Sequence, residues 1–235
     1  QVNLQKRKEE IKRLIDEKGL LTAELISKID SAIKLVEVED IYRPFKEKKK
    51  TKATEAINNG LEPLAKMIMS FNITGSVEEL AKKYLNDNIK SVEEAITGAK
   101  YIIAEWISDN AYYRKQIRYL TYMNGLLTSK KKKNAEDELK TYEIYYDFSE
   151  TVKNIKLYRV LAINRGENEN VLAVNIDINE ELIIEFLKEK IIKNKANQEL
   201  VDIIESAIKD SYKRLIAPSI EREIRSELKE KAEDV

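Results

Sequence analysis

Ser91-Val92-Glu93-Glu94-Ala95-Ile96-Thr97-Gly98-Ala99-Lys100-Tyr101-Ile102-Ile103-Ala104-Glu105-Trp106-Ile107-Ser108 decides the fold class of this chain. Ser91 and Glu94 form the Ser-x-x-Glu signature in which two side chains reciprocally satisfy free amides at a helix start. Ala95, Ala99, Ile102, Ile103 and Trp106 then recur at helical spacing, which predicts a long helix with one apolar face. Gly98 lies inside it, where glycine costs about 1 kcal/mol relative to alanine. A close helix contact is the natural explanation for it, ahead of contact with a ligand.

The same reading extends in both directions. Upstream, Ser76 with Glu79 repeats the signature before Leu80, Tyr84 and Leu85. Pro63 fits a first-turn position and opens a stripe of Leu64, Met67, Ile68 and Phe71, read as core packing rather than a cofactor box. Ile11, Leu14 and Ile15 predict a helix stopped by Gly19, and Thr22 or Ala23 begins another. Downstream, Asn179 caps a helix carrying Leu182, Ile183, Phe186, Leu187 and Ile191. A further helix with Leu200, Ile203, Ile204, Ala207, Ile208, Leu215 and Ile216 is predicted to end before Pro218, and Ser219 starts a thin, charged one anchored by Ile220, Ile224 and Leu228. One strand stands out, Val171 to Ile178, by its alternation. Its backbone must pair somewhere, with Tyr142 to Tyr146 or with a neighbouring domain.

The fold expected is mainly α, multihelical, with at most one or two short strands. Residues 1–128 form a first helical subdomain, 129–140 a charged connector, and 141–235 a second mainly helical subdomain with its strand near 171–178.

Composition acts mainly by exclusion. The 235 residues contain no His and no Cys, which removes the usual proton shuttle, the thiol nucleophile, disulfides and thiolate zinc sites. Ser-His-Asp and Cys-His hydrolases are excluded, and a metal would need carboxylates alone. Glu78/Glu79 and Glu180/Glu181 are adjacent and point to different helix faces, so they read as charges complementing helix dipoles rather than as catalytic acids. No cofactor and no metal site is expected. No apolar run reaches membrane-spanning length, and the first residues lack signal-peptide design, so a soluble cytoplasmic protein with no membrane partner is expected.

Three constellations could meet a partner. The first follows a helix carrying Leu35, Val38 and Ile41, which Pro44 ends about Tyr42 or Arg43. Between Arg43 and Lys52 six basic residues, Arg43, Lys46, Lys48, Lys49, Lys50 and Lys52, stand against Glu47 alone, in a chain with 42 basic and 42 acidic residues. Such a run is either a solvated loop or a footprint for phosphate. The second is Lys130, Lys131, Lys132 and Lys133 after a helix stop at Gly125, followed at once by Glu136, Asp137 and Glu138; here the solvated loop is favoured. The third is Tyr112 to Tyr122. Helical spacing turns Tyr113, Ile117 and Leu120 inward and leaves Lys115, Arg118 and Tyr119, with Tyr112 and Tyr122, on a basic, aromatic face suited to bases and phosphates or simply to half-buried packing.

Six separated blocks give the chain a family likeness. They are Asp40 to Thr54, Gly60 to Ala65, Gly98 to Ser108, Tyr146 to Glu150, Arg159 to Glu167 and Ala217 to Leu228. In this order they resemble the bacterial Tex family of transcription accessory proteins, relatives of a eukaryotic transcription elongation factor. Tyr158 stands where the family usually has His, and Lys131 and Lys132 where it has apolar residues.

The resemblance implies the N-terminal helical portion of a larger protein. RNase H-like, helix-hairpin-helix and OB-fold RNA-binding domains would follow it. No catalytic residue is carried over. The resemblance further implies a non-enzymatic helical scaffold that contributes to RNA or DNA binding, weakly and without sequence specificity, and to transcription-related regulation. The transcription machinery and the remaining domains of its own protein would be its other partners. The competing expectation is a protein-interaction scaffold that positions those domains and binds no nucleic acid itself, which the near-neutral charge favours.

Overall fold

The computed structural model describes residues 2–193 and 197–234. The chain is mainly helical and divides into two compact units, one of residues 1–115 with 184–216, the other of 116–183 with 217–235. This grouping differs from the expected halves, because the chain leaves and re-enters each unit.

The first unit opens with α1 (Val2–Glu17), α2 (Ala23–Ser31) and α3 (Leu35–Tyr42). Gly19, at φ +70°, follows α1, and Thr22 caps α2 by accepting from the Leu25 amide at 3.1 Å. These helices enclose a core of Ile11, Ile15, Ile29, Ala32 and Val38. The rest is organised by α7 (Val92–Ser108), against which α4 (Lys52–Asn58), α5 (Glu62–Ser70), α6 (Val77–Lys82) and α11 (Gln198–Asp210) pack.

Ser91 accepts from the Glu94 amide at 3.2 Å, while the Glu94 carboxylate takes the amide of Lys90 at 2.9 Å rather than that of Ser91. The start of α7 is therefore closed by both side chains. Replacing Ser91 by Ala is expected to cost about 1 kcal/mol, read as a lower urea midpoint. Gly98 explains the α4–α7 contact: a Cβ there would lie 2.3 Å from Leu61 Cδ1 and 3.3 Å from Ala56 Cβ. The close approach expected from sequence is present.

In the second unit β1 (Leu126–Lys131) is the centre of an antiparallel sheet of order β2-β1-β3, with β2 Asp147–Thr151 and β3 Leu172–Asp177. The sheet has three strands instead of one or two, and β3 pairs with β1 in the register Ser129–Val174, not with Tyr142 to Tyr146. Glu143–Tyr145 is a 3-10 turn. The first three residues of the expected connector are thus strand. Its lysines hide this, because a central strand with one solvated face tolerates them where apolar alternation would announce it. On the covered face Leu127 and Ser129 are buried, and the Ser129 hydroxyl donates to the Tyr145 carbonyl at 2.7 Å. Helix α9 (Leu157–Asn168) packs on β3, and α12 (Ala217–Glu233) packs on α9. Gly166 permits the first contact, since a Cβ there would meet Leu172 Cδ1 at 2.5 Å.

Of two expected stops, one is present and one is not. Helix α8 (Ala111–Asn124) does end before Gly125, but helical structure does not end before Pro218. Ser211–Ile216 winds as a π-helix that runs without a break into α12, of which Pro218 is the second residue. Helix α10 (Glu180–Ile191) begins as expected, with Asn179 accepting from the Glu181 amide at 3.1 Å. No helix among the described residues is long and apolar enough to cross a membrane.

Candidate nucleic-acid interface

The basic run is a strap with two kinds of cation. After α3, Arg43–Phe45 forms a 3-10 turn around Pro44, and the chain then runs extended to Thr51. Thr51 caps α4 reciprocally: its hydroxyl accepts from the Thr54 amide at 3.1 Å, and its amide donates to the Thr54 hydroxyl at 2.7 Å. Thr51 also donates to Glu105 at 3.1 Å. Lys48 reaches the same place, pairing with Glu105 at 2.5 Å and with Asp109. Burial raises the Asp109 carboxyl above its ordinary pKa, and Lys48 offsets only part of that rise. One lysine is thereby committed to holding the strap on the C-terminal end of α7. Lys52 is engaged too, its ammonium 4.9 Å from the centre of the Tyr101 ring, which Arg214 also approaches at 5.4 Å. Arg43 is half-buried.

Lys46, Lys49 and Lys50 differ from these. All three are exposed, and none makes an ion pair among the described residues. Only Glu47 stands beside them as an exposed opposite charge. The arrangement can present a small, mobile-headed cationic patch on a pinned backbone, which suits phosphate contacts without base reading.

The other candidates are placed less favourably. Lys115 is exposed and pairs with Glu37 at 3.4 Å. Arg118 is turned into the fold, its side chain 13% exposed and bonded to Glu223 at 2.9 Å and 3.0 Å. Tyr119 is 58% and Tyr112 50% exposed. The inward line of α8 is Arg114, Ile117 and Thr121 rather than Tyr113, Ile117 and Leu120. The register shifts because Arg114 finds a buried partner, Asp40, at 3.4 Å. Sequence gave no signal for that pair beyond an arginine near an apolar stripe.

Lys130 lies on β1 opposite Asp147, Lys131 stands 5.2 Å from the Tyr146 ring, and Lys132 and Lys133 follow exposed. Of the acids after them, Asp137 turns to structural use, accepting from Tyr146 Oη at 2.6 Å and from the Tyr142 amide at 2.9 Å. Hydrogen bonds from Tyr146 and the Tyr142 amide hold its carboxyl below the usual range. Among the described residues no group of three or more acidic side chains is placed to hold a metal.

Comparison with known proteins agrees with the six-block likeness. A family described as Tex central region-like matches residues 72–235, a part named central where the resemblance implied the N-terminal portion. The chain is 47% identical over 235 residues to Bacillus subtilis "Uncharacterized protein YdcI", covering 99% of the chain and 32% of that protein. It is 32% identical over 171 residues to "Transcriptional accessory protein Tex" of Neisseria gonorrhoeae, covering 73% of the chain and 22% of that protein. It is 31% identical over 213 residues to human "S1 RNA-binding domain-containing protein 1", covering 84% of the chain and 21% of that protein. The chain spans about a third or less of the length of these curated relatives. With the family matching well over half of its residues, the chain belongs to the Tex family.

Proposed function

We propose that this chain is a non-enzymatic scaffold of a cytoplasmic transcription accessory protein, and that it touches RNA or DNA through the strap after Pro44. Contact is weak and independent of sequence, made by Lys46, Lys49 and Lys50, while Arg43, Lys48 and Lys52 hold the strap in place. The observation that carries the reading is the split itself: three exposed lysines without ion pairs, on a backbone pinned by Lys48 to Glu105 and Asp109. A relative named as a transcriptional accessory protein and another named for RNA binding supply the partner class. The transcription machinery and further domains of the same polypeptide are the other proposed partners.

The test is fluorescence anisotropy of labelled single-stranded RNA and duplex DNA with the chain and its Lys46→Glu, Lys49→Glu, Lys50→Glu variant. Binding at low salt that the triple variant loses supports the reading. Absence of binding at low salt would sink it and leave the second reading, a protein-interaction scaffold, which the balance of 42 basic and 42 acidic residues favours.

A further inference from the structure

We propose that the groove between α9 and α12 in the second unit is a binding site for phosphate groups. It is separate from the strap and independent of the function proposed above. Helix α12 lines it with Arg222, Ser226 and Lys229, and α9 with Asn164 and Asn168. Two carboxylates also reach the groove, and both are already used. Glu167 takes the Arg225 guanidinium at 2.6 Å and 3.2 Å, and Glu221 accepts the Ile176 amide of β3 at 2.9 Å.

The same Arg225 donates to the Asn164 carbonyl oxygen at 3.0 Å, which leaves the Asn164 amide nitrogen as a donor. Arg222 is exposed and has no ion pair among the described residues; Lys229 has only Glu233, 4.0 Å away on its own helix. The groove therefore offers a ligand the donors of Arg222, Lys229, Ser226 and Asn164, with the Glu221 carboxylate the one charge against them that no cation pairs among the described residues. Arg222 and Lys229 stand seven residues apart, about 10.5 Å along the helix, with the neutralised Arg225 between them.

Two features choose the ligand. Pro218 is the groove's one apolar side chain, so a protein partner would find no buried anchor of the kind that carries interface energy. No aromatic ring lines it, so a base would have nothing to stack on. Phosphate oxygens, which accept several charged and neutral donors at once, fit the inventory. They could belong to a nucleic-acid backbone or to a free polyphosphate. The sequence carried the signal in the spacing Arg222, Arg225, Lys229 on one helix face, but only the fold shows which of these cations remain available.

The test is calorimetric titration of the chain with inorganic tripolyphosphate and, separately, with a single-stranded oligonucleotide. Arg222→Glu with Lys229→Glu, both on exposed positions, is expected to weaken binding about tenfold or more, the loss of one charge-assisted contact or better. The Lys46→Glu, Lys49→Glu, Lys50→Glu variant should keep the part of tripolyphosphate binding that Arg222→Glu with Lys229→Glu removes. Tripolyphosphate binding that the Arg222/Lys229 variant weakens would identify a free phosphate ligand, and oligonucleotide binding that it weakens a nucleic-acid backbone; either supports the site. The proposal is overturned if the chain binds neither, or if the Arg222/Lys229 variant binds whichever probe the parent binds just as tightly.

Discussion

Replacing Arg114 by Met is expected to destabilise the chain by about 3–5 kcal/mol, the cost of leaving one partner of a buried ion pair alone. The Arg114 side chain is 0% exposed and that of Asp40 3%, so the pair is buried in the first unit. Arg114 also donates to the Ser108 carbonyl at 2.9 Å, one of the last carbonyls of α7 and without an intrahelical partner. Its loss would therefore take a donor from two groups, Asp40 on α3 and the Ser108 carbonyl on α7. Urea unfolding should show a much lower midpoint for Arg114→Met. Arg114→Met with Asp40→Leu should recover part of the loss, because it removes the uncompensated carboxylate, while the Ser108 carbonyl still lacks its donor. A double variant as unstable as the sum of the singles would mean that the pair is not the source of the effect.

Gly125→Ala is the second large effect expected, about 1–3 kcal/mol, because the added methyl cannot be accommodated by moving a side chain. A Cβ at Gly125 would lie 2.5 Å from the Thr121 carbonyl oxygen, a backbone atom, and 3.1 Å from Ile176 Cγ2 on β3. Relief requires shifting either the end of α8 or the sheet. Thermal unfolding followed by circular dichroism should show a lower midpoint for Gly125→Ala. An unchanged midpoint would mean that the turn relaxes at no cost.

Gly125 also shows what was legible in the sequence and what was not. It was readable as a helix stop, and α8 does end at Asn124. The reason differs from the usual one, since its φ is not left-handed and the constraint is a close approach of backbone to backbone. Gly98 was read for the right cause because a glycine deep inside an amphipathic pattern has few explanations other than contact. Capping residues were equally plain, since a Ser or Thr at a helix start acts through its immediate neighbours: Ser76 and Ser91 each accept the expected Glu amide, and Thr22, read as a helix start, caps α2.

What escaped were interactions between distant parts of the chain. The β1 strand was hidden by its own lysines, and its pairing with β3 lies 47 residues away at Thr128–Asn175. Arg114 was missed as an inward residue because nothing near it in sequence announces Asp40. The strap is the instructive case for function. Six basic residues look alike in sequence, and it is Glu105 and Asp109, over fifty residues on, that separate Lys48 from its neighbours.

That separation is the central claim, and the salt dependence of RNA binding tests it most directly. Each phosphate contact on a single strand contributes a slope of about −0.7 in log affinity against log salt, so losing three contacts should flatten the slope by about 2. The account predicts this flattening for Lys46→Glu, Lys49→Glu, Lys50→Glu, and no comparable flattening when Lys48→Met removes the anchor alone. A slope that the triple variant leaves unchanged would contradict it.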